Sequence, residues 1–328
     1  MWRQLSVTSP SDERTSRQTW PRTALRTLLH YGGSALVLVL IFHFLPGRKV
    51  WHTLESLPAG LWLLVLAGYL GAHCIGVTKW RLMVNLANAG LQWKQAARCY
   101  FAGLFGSLFL PSLIGGDLVR AGMALRIGRS KAGVLLGSFV DRSIDLAALA
   151  LLAGVGALLV PGALDQKDRR ILMLVGGIAA LGIVVVAASV ALLPVRRFSY
   201  RMKRRFVRLR RAARSMARQP GAVAAALSFA LAAQVIFISL NIALAEACGL
   251  HLAFRVWLFA WPLAKLSAAL PITQGGIGVR EAALAALLLP FGASPVLSVA
   301  AGIAWEAIVI GGGLVAGFTS FLMSRFSS

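Results

Sequence analysis

Two short segments of this sequence carry a proline, a pair of glycines and an arginine at the same spacing. They run from Leu110 to Arg120 and from Leu270 to Arg280, and six of their eleven aligned positions are identical. Glycine lets the backbone turn through positive φ and approach a ligand closely. Each glycine pair precedes a predicted helix, about 117–125 and about 279–289, whose free N–H groups favour an anion. Because arginine binds phosphate bidentately, the segments predict contact with an anionic headgroup.

The same pattern has a purely structural alternative, in which the glycines only allow close helix packing and each arginine pairs with a nearby acid. Asp117 lies one turn before Arg120, and Glu281 is adjacent to Arg280. The residues predicted to bind substrate are Gly115, Gly116, Asp117, Arg120, Asp141, Arg142, Gln274, Gly275, Gly276, Arg280 and Glu281.

Further ionisable residues interrupt apolar segments. Asp141 and Asp145 are four residues apart and therefore share one face of a helix. Charges in such segments usually face a cavity or a partner, so we expect them to pair with the arginines or to carry a proton. The alternative is an interfacial position near the helix start. Lys79 is expected to snorkel to the interface, and Glu306 lies in the last apolar segment.

The composition limits the class of protein that must position these residues. Of 328 residues, 58% are hydrophobic and 14% charged, and Lys+Arg exceed Asp+Glu by 34 to 11. A disordered chain lacks this apolar content, and a soluble nucleic-acid binder does not fit a mean hydropathy of +0.75. Scattered Cys and His predict no metal site, and no nucleotide-binding or nucleophile motif appears, so no cofactor is expected.

The hydropathy pattern predicts an all-α integral membrane protein with about six full transmembrane helices and two re-entrant broken-helix hairpins. A crossing helix needs roughly 20 apolar residues. The unbroken segments are 25–45, 59–80, 132–160, 171–193, 221–247 and 295–323. The broken segments, 96–118 and 252–289, contain the two glycine motifs, and Lys265 lies in the second.

Charge predicts the topology. The segment 196–218 contains eleven Lys/Arg and no acid, which indicates a cytoplasmic loop. This agrees with a cytoplasmic basic N-terminal tail only if the first broken segment enters and returns on the same side. The offset of 160 residues between the motifs then predicts inverted repeats, the arrangement of many secondary transporters. We expect a disordered tail at 1–23 and one membrane domain at 24–328, with repeats at about 59–160 and 221–324 and a basic loop at 195–219.

The basic loop has its own periodicity. Apolar residues from Phe198 to Met216 recur every three or four positions, with basic residues elsewhere around the helix. This predicts an amphipathic helix on the anionic cytoplasmic leaflet. The residues predicted at the membrane surface are Arg204, Arg205, Arg208 and Arg211.

Together these motifs resemble the lysylphosphatidylglycerol synthase transmembrane-region family, also called flippase-like. The resemblance is carried by residues 109–120, by the pair Asp141-Arg142, by residues 270–281 and by the element Lys79-Trp-Arg81, and it covers about 25–325. It implies functional roles for the predicted substrate-binding residues other than Gln274. In longer relatives a fused soluble domain transfers an aminoacyl group and the membrane part flips the product lipid. The chain ends at Ser328, so we expect no aminoacyl transfer from it.

We therefore expect flippase-like translocation of an anionic lipid or lipid-linked headgroup across a bacterial inner membrane, with both termini cytoplasmic. The expected partners are membrane lipids and lipid-biosynthetic enzymes, and no nucleic acid. Two alternatives stay open. The protein could be an integral membrane glycosyl- or acyl-transferase, or a non-catalytic scaffold in lipid or cell-envelope biosynthesis.

Overall fold

A computed structural model describes residues 47–110, 114–160, 200–268 and 278–325, and these ranges contain helices and no strand. The α-helices are α1 Gly47–Glu55, α2 Ala59–Leu86, α3 Trp93–Ser107, α4 Ile114–Ile127, α5 Lys131–Leu159, α6 Tyr200–Ala217, α7 Pro220–Ala247, α8 Phe254–Ser267, α9 Val279–Leu288 and α10 Pro295–Arg325. A short 3-10 helix, Leu289–Phe291, follows α9.

Within the described ranges, four helices are long and apolar enough to span a membrane, namely α2, α5, α7 and α10. They match four of the six predicted crossings. The shortest has 28 residues, or about 42 Å, which exceeds a hydrocarbon core of about 30 Å. The predicted crossings at 25–45 and 171–193 and the tail at 1–23 lie outside the described residues. Helix α2 continues to Leu86 instead of ending near residue 80, so Lys79 lies well inside it.

The helices of 59–159 and of 220–325 follow one another in the same order: a long helix, two short helices and a second long helix. The packing is reciprocal, because α3 lies against α10 and α8 lies against α5. Gly68 of α2 meets Leu240 of α7, while Met83 clusters with Ala226. Because Met83 is near the end of α2 and Ala226 near the start of α7, these two helices run antiparallel.

The short helices pack as two pairs, α3 with α4 and α8 with α9. In the first pair, a Cβ added to Gly116 would lie 2.6 Å from the carbonyl oxygen of Gly103, so the backbones touch. The predicted glycine turn is wrong here. Helix α4 begins at Ile114, which puts Gly115 and Gly116 in its first turn without positive φ. Close packing explains Gly116 better, as the structural alternative proposed.

In the second pair, the left-handed glycine is Gly278, with φ 84°, immediately before α9. The helix then begins at Val279 as predicted. The predicted site residues Gln274, Gly275 and Gly276 lie outside the described residues, as do the prolines of both motifs.

Helix α6 confirms a helix in the basic loop. Its residues Ala212 and Met216 are buried in a cluster with Met83, Leu86 and Ala226. The end of its apolar face therefore packs on protein and not on lipid, which corrects the prediction for Met216. Arg211 is exposed, whereas the side chains of Arg204, Arg205 and Arg208 lie outside the described part of the chain.

Candidate functional site

A cavity of about 590 Å³ lies between the two sets of helices. Every long helix contributes to its wall, together with α3, α4, α8 and α9. Its charged lining residues are Lys79, Asp117, Arg120, Arg142, Asp145, Lys265, Arg280 and Glu306. The reciprocal packing thus brings together the arginines of both glycine motifs, which are 160 residues apart in the sequence.

Lys79 is the centre of an ion-pair network on the α2 side of the cavity. Its Nζ lies 2.8 Å from Asp141 Oδ1 and 2.6 Å from Asp145 Oδ1. The expected snorkelling of Lys79 is wrong, since only 3% of the residue is exposed. The prediction that Asp141 and Asp145 share a face is confirmed, because both reach the same ammonium group.

Arg120 extends this network from α4. Its Nη2 lies 2.9 Å from Asp117 Oδ1 and 3.2 Å from Asp141 Oδ2. The guanidinium also stacks on two rings, 4.9 Å from the centroid of Trp80 and 5.0 Å from that of Tyr100. Asp141 is 1% exposed and bridges Lys79 and Arg120, so its pairing with a motif arginine is confirmed.

The second motif builds a smaller network around Arg280. Its Nη2 contacts Glu281 Oε1 and lies 2.7 Å from Glu306 Oε2 on α10. Glu281 also accepts a hydrogen bond of 2.7 Å from the backbone N–H of Gly278. The Glu281 carboxylate therefore already occupies part of the N-terminus of α9, where an anionic ligand was predicted.

Lys265 is held differently from the other cavity cations. It donates a hydrogen bond of 3.0 Å to Gln234 Oε1, and its Nζ lies 4.6 Å from the ring centroid of Phe237. Within the described ranges, no carboxylate lies within 4 Å of it. Since an ammonium group has three donors, Lys265 retains donor capacity on the cavity wall.

The other predicted residues differ in their access to the cavity. Gly116 and Arg142 line it, and Arg142 Nε lies 3.4 Å from Asp117 Oδ2. Asp141 and Glu281 lie behind the arginines that they bind and do not form part of the lining. Gly115 packs against Leu110 instead.

Several polar lining residues were not predicted, among them His73, Tyr100 and Gln234. His73 Nδ1 and the Tyr100 hydroxyl are 3.3 Å apart, which joins α2 to α3. The signal available in the sequence was a single polar residue within an apolar crossing, as for His73 and Gln234. In the part of the chain that the structure describes, no group of three or more His, Cys, Asp or Glu could hold a metal ion.

Comparison with known families matches nearly the whole length of the chain to one family. The family described as the lysylphosphatidylglycerol synthase TM region matches residues 27–317. The chain belongs to this family. Among curated proteins, none matches the chain. Family membership and the four apolar helices identify a multi-pass membrane protein with a lipid-related function.

Proposed function

We propose that this member of the lysylphosphatidylglycerol synthase TM region family moves a lipid with an anionic headgroup between the leaflets of a bacterial inner membrane. The observation that carries the proposal is the cavity itself. Among the residues that the structure describes, its lining has the five cations Lys79, Arg120, Arg142, Lys265 and Arg280, and three carboxylates. The described lining residues therefore carry two more positive than negative charges, which favours an anionic headgroup at the surface of the cavity.

Charge balance explains how such a site persists without a ligand. Asp141 and Glu281 lie behind the lining and neutralise Arg120 and Arg280 together with Asp117 and Glu306. Buried charges are tolerated when they are paired and hydrogen-bonded. We infer that Lys265 makes the first contact with a phosphate, since it is the described cavity cation without a carboxylate partner. Arg120 and Arg280, which their ion pairs hold in fixed positions, then attract the same phosphate.

We also propose that the two sets of helices are inverted repeats, in which the short pairs are re-entrant hairpins. The antiparallel α2 and α7 and the reciprocal packing of α3 on α10 and α8 on α5 support this. The helices of the pairs have only 10 to 15 residues, too few to cross alone. With crossings at 25–45 and 171–193, both termini are cytoplasmic.

A transport assay with purified protein in liposomes tests the function. Phosphatidylglycerol and phosphatidylcholine, each labelled on an acyl chain, are compared by the rate at which label becomes accessible to a membrane-impermeant quencher. We expect faster movement of phosphatidylglycerol. Lys265→Gln should slow it about tenfold or more, because a hydrogen bond to a charged group contributes about 1.5–3 kcal/mol.

The matched control is Arg255→Gln, which removes an exposed cation of the same helix that does not line the cavity. It should transport like the wild type. Equal rates with and without protein would contradict the proposal. Mass spectrometry of the recovered lipid separates the alternatives, because a chemically modified lipid would identify a transferase. Absence of both movement and chemistry, with enzymes co-purifying, would identify a scaffold.

A further inference from the structure

The cavity has an apolar arm that the charged residues do not account for. Beyond Glu306 its wall continues along α10 through Val309, Ile310 and Leu314. Opposite them are Leu104 in the last turn of α3, and Leu108 and Phe109, which directly follow that helix. From Glu306 to Leu314 is eight residues, or about 12 Å along the helix. One continuous cavity therefore has a charged end and an apolar end.

The apolar end is exposed among the described helices. Phe109 is 57% exposed, Ile310 44% and Leu314 51%, although all three line the cavity. Arg120 and Lys79, at the charged end, are 6% and 3% exposed. The wall thus changes from buried and charged to exposed and apolar along its length, and its exposed end includes residues of α10, which is long and apolar enough to span a membrane.

The contact of α5 with α8 corresponds to the contact of α10 with α3 in the reciprocal packing, and it is tighter. A Cβ added to Gly156 would lie 2.6 Å from the backbone carbon of Leu258 and 2.7 Å from Phe259 Cα, so two backbones meet there. Between α10 and α3, by contrast, Gly313 meets the side chain of Leu108. Only Trp261, Lys265 and Leu266 of α8 line the cavity. The apolar arm is therefore a feature of the α3–α10 side.

We propose that this arm, between the end of α3 and residues 309–314 of α10, is a lateral opening that holds the acyl chains of the transported lipid. This inference rests on the proposed function and specifies how the lipid is bound. A phospholipid has a charged headgroup, which needs polar surroundings, and acyl chains, which need apolar surroundings. Its headgroup gains from the cationic lining, whereas exposing its chains to water would cost roughly 25 cal/mol for each apolar Å². The opening lets the headgroup occupy the cavity while the chains stay in an apolar environment.

Site-specific photocrosslinking tests the opening. A photoreactive phenylalanine analogue replaces Leu314, and liposomes contain trace acyl-labelled phosphatidylglycerol in excess unlabelled phosphatidylcholine. The control position is Leu64 of α2, which is 64% exposed and does not line the cavity. We expect several-fold more labelled product at position 314 than at position 64. Adding Lys265→Gln should reduce position 314 to the level of position 64, because the headgroup loses its anchor.

Transport by tryptophan variants provides an independent measurement. Leu314→Trp should slow phosphatidylglycerol movement about tenfold by filling the opening, while Leu64→Trp should leave it unchanged, provided that both variants keep wild-type melting temperatures. Equal crosslinking at the two positions in a protein that transports lipid would overturn the opening and leave the proposed function standing. Selective crosslinking at position 314 without any transport would contradict the proposed function and retain the lipid site.

Discussion

At the scale of single residues, Asp141 links cations from two helices. Its two carboxylate oxygens lie 2.8 Å from Lys79 Nζ and 3.2 Å from Arg120 Nη2. Lys79 in turn holds Asp145 at 2.6 Å. These groups connect α2, α4 and α5 at one wall of the cavity. Removing Lys79 leaves the buried Asp141 with Arg120 alone and takes the cation from Asp145, and breaking a buried pair in this way is costly.

Lys79→Met should therefore destabilise the protein by about 3–5 kcal/mol, since Asp141 and Asp145 lose their shared cation. The measurement is the free energy of unfolding by denaturant in detergent micelles. Lys94→Met is the matched control, because Lys94 is exposed at the start of α3. It should change stability by less than about 0.5 kcal/mol. Equal unfolding midpoints for the two variants would refute the structural importance of the network.

The sequence predicted part of this network for a simple physical reason. A spacing of four residues determines a shared helix face, so the common partner of Asp141 and Asp145 was foreseeable. The burial of Lys79 was not foreseeable, because a charged residue such as Arg81 usually marks the end of a crossing, whereas this helix continues to Leu86. Lys265 was visible only as a charge in a broken segment, and its neutral partner Gln234 comes from another helix.

At the scale of helices, the packing of α3 on α4 depends on a direct contact between their backbones. Gly103 and Gly116 meet through their backbones, and a Cβ at either position would lie within 3 Å of the other's carbonyl oxygen. Arg120 lies one turn after Gly116 in α4. The contact between the glycines therefore also determines where along α3 the guanidinium enters the cavity. The glycine pair thus positions the arginine through packing, whereas the sequence suggested a turn through positive φ.

Gly116→Ala should destabilise the protein by about 1–3 kcal/mol, because the added methyl group must push α3 and α4 apart. Gly122→Ala, in the same helix, has nothing within 4 Å of the added Cβ. It should be neutral or stabilising by up to about 1 kcal/mol, since alanine favours the helix over glycine. Thermal melting of both variants makes the comparison. A Gly116→Ala protein as stable as Gly122→Ala would show that the close contact does not matter.

At the scale of the whole molecule, basic residues are concentrated at one end. Arg129 donates its backbone N–H to Ala89, and Ser320 of α10 donates to the carbonyl of Arg98, so these segments share an end with α6. The opposite end contains the turns near residues 56–58, 248–253 and 289–294, where few basic residues occur. By the positive-inside rule, we propose that the end with α6 faces the cytoplasm.

Cysteine labelling tests this orientation. In a variant whose three native cysteines are replaced by serine, Arg214→Cys and His251→Cys each introduce one exposed thiol, at opposite ends of the bundle. A membrane-impermeant maleimide added to intact cells should label position 251 and leave position 214 unlabelled until the cells are opened. The reverse pattern would invert the orientation. Labelling of both positions in intact cells would contradict a spanning bundle.

The overall arrangement was more predictable than the site. Helix length follows from hydropathy, and the constant offset of 160 residues between the motifs predicted two similar sets of helices, which the structure contains. The cavity depends on which side chains meet across the two sets. No local pattern determines that Trp261 and Trp305 approach to 5.3 Å, or that Lys265 shares a wall with Arg120.

The burial of α8 has a consequence for how the protein is made. This helix has 14 residues, is too short to span the bilayer and is covered by α5, α7 and α9, with Trp261 against Trp305 of α10. During synthesis it leaves the ribosome before α9 and α10 exist. Until those helices arrive, Trp261 lacks its contact with Trp305, and the cavity wall lacks Arg280 and Glu306. Maturation of the cavity is therefore the last step of assembly, and a nascent chain halted before Pro295 should be degraded rapidly in pulse-chase measurements.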